Sequence, residues 1–164
     1  MTTAHAITAA QPTVDGTSKK DRRGGRTGPD NIFSSSTGAD EAVANFISAV
    51  EGKITGMALC VPTFDVSVVD FTVDPEKEIT YVDLFAEMKR RAEGDIKGHV
   101  GYTDVSLVST DFETCPISCT FDSKAGIMLD STFVKVVCWY DNEWGYSCRV
   151  VDLIKHMAAE DAKA

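Results

Sequence analysis

Apolar positions along this chain follow two rhythms: short strand-like runs, and stripes spaced every three to four residues. Residues 1–10 are small, Thr-rich and mildly apolar, which predicts a short buried strand that enters a loop. Strand-like runs recur at Ile54 to Leu59 and Val66 to Val73, joined through Pro62. Shorter ones lie near His99 to Tyr102, Ser118 to Phe121 and Phe133 to Tyr140. Thr37 opens a helix carrying Val43, Phe46, Ile47 and Val50, with Thr37 and Asp40 as a capping pair and Gly52 as its stop. Such a Thr cap is worth about 1 kcal/mol. Thr80 and Asp83 open a second helix striped by Tyr81, Phe85, Met88 and Ala92. Lys89, Arg90 and Arg91 fall in its last turns, where the helix dipole favours cations, and Gly94 stops it. A last helix runs from about Ser147 to Ala159, with Val150, Val151, Ile154, Met157 and Ala158 on one stripe. Strands outnumber helices and do not strictly alternate with them, which predicts an α+β fold with helices on one face of a sheet.

Two segments break these rhythms. Residues 11–36 are rich in Gly, Ser, Lys, Arg and Asp, too polar for core and too long for a simple connection. Such a stretch is either functional or disordered. Lys19, Lys20, Arg22, Arg23 and Arg26 crowd into it, and Gly24-Gly25 lacks the preceding strand that a phosphate-binding glycine turn requires. The second segment, Trp139-Tyr140-Asp141-Asn142-Glu143-Trp144-Gly145-Tyr146-Ser147, joins a strand-like run to a helical one. Open α/β structures place ligand contacts at such junctions. Aromatics, a carboxamide and a Gly suit a planar polar ring, although an aromatic-rich turn packed for stability has the same composition.

Composition narrows the function classes. At 164 residues the chain is one domain with room for a real core. Hydrophobic content of 43% and charged content of 25% are ordinary for a globular protein. A formal net charge of -9 opposes general affinity for nucleic acid or anionic membranes. No apolar run nears the ~20 residues that span a bilayer, and the start has no signal-peptide layout, so a cytoplasmic location is expected. The 5 cysteines are an odd number without CxxC units. Cys115 and Cys119 have no nearby His, so reduced thiols and no bound metal are expected.

His5 is the first candidate for chemistry. A lone His is more often structural, yet it is the natural general base near neutral pH and contributes ~10²–10⁴-fold where correctly placed. His99, at a strand start, and His156, on a helix flank, carry weaker cases. Ser34-Ser35-Ser36-Thr37-Gly38 is the second candidate. Hydroxyls and free N–H groups at a helix start match a phosphate oxygen, and equally match a plain cap.

Several motifs in order carry a resemblance. Met1 to Ala9, Val14-Asp15-Gly16, Gly24-Gly25-Arg26, Ser36-Thr37-Gly38-Ala39, Gly52 to Ala58, Val61-Pro62-Thr63 and Val66 to Asp70 come first. Lys97-Gly98, Gly101-Tyr102-Thr103 and Phe121 to Gly126 then lead to the Trp139 to Ser147 run. Together they resemble the second half of phosphorylating glyceraldehyde-3-phosphate dehydrogenase. The resemblance implies a mixed, largely antiparallel sheet, with residues 1–164 forming an incomplete catalytic domain. An S-shaped loop would fall at about 7–36, and the dinucleotide-binding domain and nucleophile segment would be absent. The family oxidises glyceraldehyde 3-phosphate to 1,3-bisphosphoglycerate with NAD and inorganic phosphate, through a cysteine thiohemiacetal. His5 matches its catalytic base. Thr8 matches a contact to substrate phosphate, and Thr37 and Gly38 match part of the site for the attacking phosphate. Asn142 matches the residue that holds the nicotinamide carboxamide, with Tyr146 against the same ring. The basic loop would line a neighbouring subunit's cofactor cleft, which implies a homo-oligomer, a tetramer in the family.

Departures cluster at ligand positions. No Ser-Cys-Thr-Thr-Asn-Cys segment occurs, so none of the cysteines stands in the nucleophile's motif, and the isolated chain is expected to be inactive. Cys60 stands where the family has an arginine that grips substrate phosphate, a loss of about 1.5–3 kcal/mol of binding. Ala10, Thr17 and Arg22 replace a hydroxyl residue, a proline and a tryptophan. Glu41 and Asn45 replace lysines, and the stretch Thr114 to Cys119 loses an arginine. Two alternatives follow: a non-catalytic remnant or interaction protein keeping the fold, and a related erythrose-4-phosphate dehydrogenase. NADP in place of NAD stays open at this point.

Overall fold

Seven strands form a single sheet in the order β2-β3-β1-β4-β7-β6-β5. The computed structural model describes residues 1–19 and 21–163, and for Asp40 the backbone alone. The strands are β1 Thr2–His5, β2 Phe33–Ser35, β3 Met57–Cys60, β4 Ser67–Val73, β5 Val100–Thr103, β6 Cys119–Asp130 and β7 Phe133–Tyr140. The pairs β1–β3 and β5–β6 are parallel; β1–β4, β2–β3, β4–β7 and β6–β7 are antiparallel. The sheet is therefore mixed and largely antiparallel, as the resemblance implied.

Register sorts the side chains. Thr3 and His5 of β1, Cys60 of β3, Ser67 and Val69 of β4, Cys138 and Tyr140 of β7, and Phe121 of β6 share one face, because successive strand residues alternate. Helix α2, Tyr81–Glu93, packs on that face, with Phe85 edge-on to Phe121 at 6.0 Å between ring centroids. Thr80 caps it as expected, accepting from the Asp83 N–H at 3.1 Å, and Gly94 follows its last residue. The opposite face carries a shallow groove walled by Thr2, Ala4, Val68, Ile127 and Val137, with no helical residue in its lining.

Three elements differ from expectation for identifiable reasons. Helix α1 spans only Ala39–Phe46, and a 3-10 turn at Ser48–Val50 replaces its expected continuation to Gly52. Its stripe finds nothing to pack on: Phe46 is 91% exposed, and an unburied short helix is marginal in water. Gly38, not Thr37, is its N-cap, with no side-chain cap bond; the Thr37 hydroxyl accepts from the Ala39 N–H at 3.2 Å. Asp40's side chain, the other half of the expected capping pair, lies outside the described residues. Strand β6 is far longer than the apolar run Ser118 to Phe121, because its polar residues are satisfied by one long-range bond and by local backbone N–H groups. Ser123 Oγ donates to the Thr103 carbonyl at 2.8 Å, and Asp122 accepts from the Lys124 and Ala125 N–H groups. Helix α3, Trp144–Asp161, starts earlier than Ser147, because Asp141 Oδ1 accepts from the Glu143 and Trp144 N–H groups at 3.0 and 2.6 Å.

Residues 11–19 and 21–32 fold back on themselves rather than trailing as a disordered segment. The Gly16 N–H donates to the Gly25 carbonyl at 2.8 Å, and Asp15 accepts from the Arg26 guanidinium and the Thr27 N–H. Gly25 must be glycine here, since a Cβ would stand 2.6 Å from the Gly16 carbonyl oxygen. Lys20 of the basic cluster lies outside the described residues. Along α3, Val150, Val151, Leu153, Ile154 and Met157 remain exposed, as the stripe read from the sequence requires if its partner is elsewhere.

Candidate functional site

His5 ends β1, where the strand leaves the sheet and the loop begins. Its Nδ1 lies 2.7 Å from the Ala6 carbonyl oxygen. A carbonyl can only accept, so Nδ1 carries a proton, and in the neutral ring the lone pair is on Nε2. The ring meets Tyr140 edge-on at 6.1 Å. Tyr140 is itself pinned: Thr3 Oγ1 donates to the Val68 carbonyl, so the Tyr140 hydroxyl donates to Thr3 at 3.0 Å.

Two cavities meet at His5, Ser118 and Tyr140, which line both. The larger, about 570 Å³, is walled also by Thr8, Thr37, Ser35, Ser36 and Cys60. The smaller, about 270 Å³, is walled also by Asn142, Gly145, Tyr146 and Arg149. Five of the six residues singled out from the sequence therefore gather around one imidazole. Gly38 does not line either cavity; it stands between Thr37 and Ala39, which line the larger.

The larger cavity has a mainly apolar wall set with hydroxyls from Thr3, Thr8, Ser35, Ser36 and Thr37. Among the described residues no Lys or Arg lines it. Cys60 lies beside His5 in the parallel β1–β3 register and is buried, and that burial pushes its thiol pKa up, so it stays neutral. Thr8 is held in place by Gln11, whose Oε1 accepts from the Thr8 N–H at 2.7 Å and from its hydroxyl at 2.9 Å. Cys119 lines the same cavity, and the neighbouring Cys138 thiol lowers its pKa against the opposing effect of burial.

The smaller cavity is built by buried polar bonds. Ser67, 1% exposed, accepts from the Ala6 N–H at 3.0 Å and donates to Asn142 Oδ1 at 2.9 Å. Arg149 of α3 donates to the Gly98 carbonyl, His99 Nδ1 and Ser118 Oγ, which ties the helix to the end of β5 and β6. His99 is thus an acceptor for Arg149, and His156 lies exposed on α3 away from both cavities. Trp139 is also spoken for: it points to the other sheet face, stacks on Phe112 at 5.7 Å and donates to Asp122. The aromatics of the run that line the cavities are Tyr140 and Tyr146. Ser67, Gln11 and Arg149 were not singled out from the sequence. The signal for Ser67 was there, as a hydroxyl beside the apolar pair Val68-Val69 at the start of a strand.

Asp141 is 2% exposed and accepts three backbone N–H bonds, from Thr114, Glu143 and Trp144. Next to it, Asp65 has its carboxyl pKa raised by burial and by the Asp141 charge and hydrogen bond, against a lowering by the Val66 N–H. The folded-state pKa of Asp65 thus lies above the unfolded value near 3.8. A folded state that binds the extra proton is favoured below that value and loses the advantage as pH rises through the folded pKa. Asp65→Asn, which mimics the protonated form, should therefore raise the unfolding midpoint at pH 7 and have no effect near pH 3. Thermal melts across that range check this; an equal effect at both ends would refute it.

The sequence profile described as "Glyceraldehyde 3-phosphate dehydrogenase, C-terminal domain" matches residues 1–142. The chain is 63% identical over 163 residues to a chloroplastic glyceraldehyde-3-phosphate dehydrogenase of Guillardia theta, covering 99% of this chain and 42% of that protein. It is 60% identical over 162 residues to a cytosolic one of Chlamydomonas reinhardtii, covering 99% of this chain and 48% of that protein. A relative in Ogataea parapolymorpha is 59% identical over 162 residues, with the same two coverages of 99% and 48%. The chain spans less than half the length of these relatives.

Proposed function

The chain belongs to the glyceraldehyde-3-phosphate dehydrogenase family, and from that membership we propose that it supplies the acid–base and ring-holding part of a glycolytic oxidoreductase. The proposed reaction oxidises glyceraldehyde 3-phosphate to 1,3-bisphosphoglycerate with NAD and inorganic phosphate. The observation that supports it best is the position of His5, which lines both cavities.

In this reading His5 Nε2 takes and returns the proton at the reacting carbon's oxygen or thiol partner, while Nδ1 stays committed to the Ala6 carbonyl. The Thr37 hydroxyl, with the backbone at Gly38, holds phosphate oxygens in the larger cavity, and Thr8 joins them by exchanging its bonds to Gln11 for bonds to phosphate. Asn142 and Tyr146 hold the nicotinamide in the smaller one. The fit is chemical: Asn142 Nδ2 has no partner among the described residues, and it lies beside a half-open aromatic wall suited to a flat amide-bearing ring. When bound, NAD supplies the hydride acceptor. Everything this chain contributes is orientation and proton handling.

A second reading, a non-catalytic protein that keeps the fold, is favoured by one feature: Cys60 leaves the larger cavity without a fixed cation. A phosphate ester there would rely on hydroxyls and neutral N–H groups, which hold a dianion less tightly than a guanidinium. The same feature is where an erythrose-4-phosphate preference would be written. We place the protein in the cytosol as a homo-oligomer, with the Chlamydomonas and not the Guillardia relative as the guide to location. No helix among the described residues is long and apolar enough to cross a membrane.

The deciding experiment joins this chain to the part of the Guillardia theta relative that it does not match. The fused protein should sustain NADH formation over many turnovers only when both aldehyde phosphate and inorganic phosphate are present. The chain by itself should form none. A folded, soluble fusion without activity would leave the non-catalytic reading standing.

A further inference from the structure

We propose that Ser67 sets the hydrogen-bond polarity of Asn142, so that this carboxamide presents only its NH₂ group to the smaller cavity. The proposal rests on the dehydrogenase reading for the identity of the ligand, but its geometry stands on its own. Ser67 lies on β4, 1% exposed, between β1 and the β7–α3 turn. Its oxygen accepts from the Ala6 N–H at 3.0 Å. That bond leaves the single hydroxyl proton to be placed, and Asn142 Oδ1 at 2.9 Å is the acceptor it meets.

The reverse arrangement fails on satisfaction. With Asn142 turned over, its NH₂ would donate to Ser67 Oγ, and the hydroxyl proton would have no other acceptor among the described residues. A buried O–H without an acceptor loses its hydration with no return. The chain of donors therefore runs one way, from the Ala6 N–H through the Ser67 hydroxyl to Asn142 Oδ1. Asn142 Nδ2, left without a protein partner, faces the cavity it shares with His5 and Tyr146.

Two consequences follow. The ligand atom opposite Asn142 must be an acceptor, so a nicotinamide would be held through its carbonyl oxygen and turned one way round. Ala6 also follows His5 and holds its Nδ1, so one buried hydroxyl couples the base to the ring holder. Ser67 is a positioning residue: it touches neither reacting atom.

Nicotinamide rings that keep the carbonyl but lack its NH₂ test the polarity directly. In the full-length enzyme carrying these residues, 3-acetylpyridine adenine dinucleotide should bind within about threefold of NAD, since the carbonyl contact is kept. Weakening by tenfold or more would mean that Asn142 accepts from the ligand, and would overturn the proposal. Ser67→Ala should weaken NAD binding by about fivefold to tenfold, the loss of one fixed hydrogen bond, and should change the KM for NAD more than the KM for the aldehyde. An NMR readout on the wild-type chain needs no activity. The Asn142 amide protons should show contacts to the Tyr146 ring and not to the Ser67 β-protons. The opposite pattern overturns the proposal even in an active enzyme. The expected pattern in an enzyme that never reduces NAD would overturn the functional reading alone.

Discussion

Replacing His5 by Asn in the active enzyme is expected to lower kcat by about 10²–10⁴-fold while leaving the KM for NAD within about threefold. The substitution is chosen for what it keeps. An Asn side chain still reaches the Ala6 carbonyl with an N–H, so the end of β1 and its bond to Ser67 persist. What disappears is the Nε2 lone pair of a residue that lines both cavities. Asn142 and Tyr146 line the smaller cavity from the far side, on the β7–α3 turn and α3, and need nothing from the imidazole to hold a ring. Binding and proton handling should therefore separate in the kinetics, and partial rescue by added imidazole should follow. Activity within tenfold of the wild type would show that the proton is handled elsewhere, and the two-cavity reading would fail.

The legible parts of this fold are those whose stability is local or whose apolar rhythm is uninterrupted. Strand β7 runs from Phe133 to Tyr140 as its side chains predict, and α2 is bounded by Thr80 and Gly94 because both ends carry their own capping chemistry. Strand β6 was read too short, since Asp122 and Ser123 look like loop residues until Thr103 and the neighbouring backbone satisfy them. Helix α1 was read too long for the converse reason: its stripe has the spacing but no surface to bury against. At the site, motif resemblance named His5, Thr8, Thr37, Gly38, Asn142 and Tyr146, and the folded chain brings all but Gly38 around two adjoining cavities. The residues that orient them were harder to see. Ser67 stands 62 positions after His5 and 75 before Asn142, and only the β1–β4–β7 register brings the three together. Long-range polar bonds of this kind leave no periodic trace.

Phe121→Ala is expected to cost about 3–5 kcal/mol, the largest stability loss from one side chain in this chain. Phe121 is 1% exposed at the start of β6 and is the meeting point of the sheet with α2. Phe85 approaches it edge-on at 6.0 Å, Tyr102 stacks on it at 5.9 Å, and Tyr81 packs on Phe85 at 4.0 Å. Removing the central ring opens a cavity that these partners cannot close without moving α2 off the sheet. A domain of this size has only about 5–15 kcal/mol of stability to lose. The site would feel the change as well, because Ser118 and Cys119 precede Phe121 on the same chain segment and line the cavities around His5. Urea unfolding of the variant beside Phe64→Ala makes the comparison. Phe64 is 80% exposed, so its truncation should change stability by less than about 0.5 kcal/mol. Equal losses for the two variants would mean that the aromatic cluster between α2 and the sheet is not the core of this domain. A loss confined to Phe121, with cofactor and aldehyde binding weakened in step, would tie the stability of that cluster to the geometry around His5.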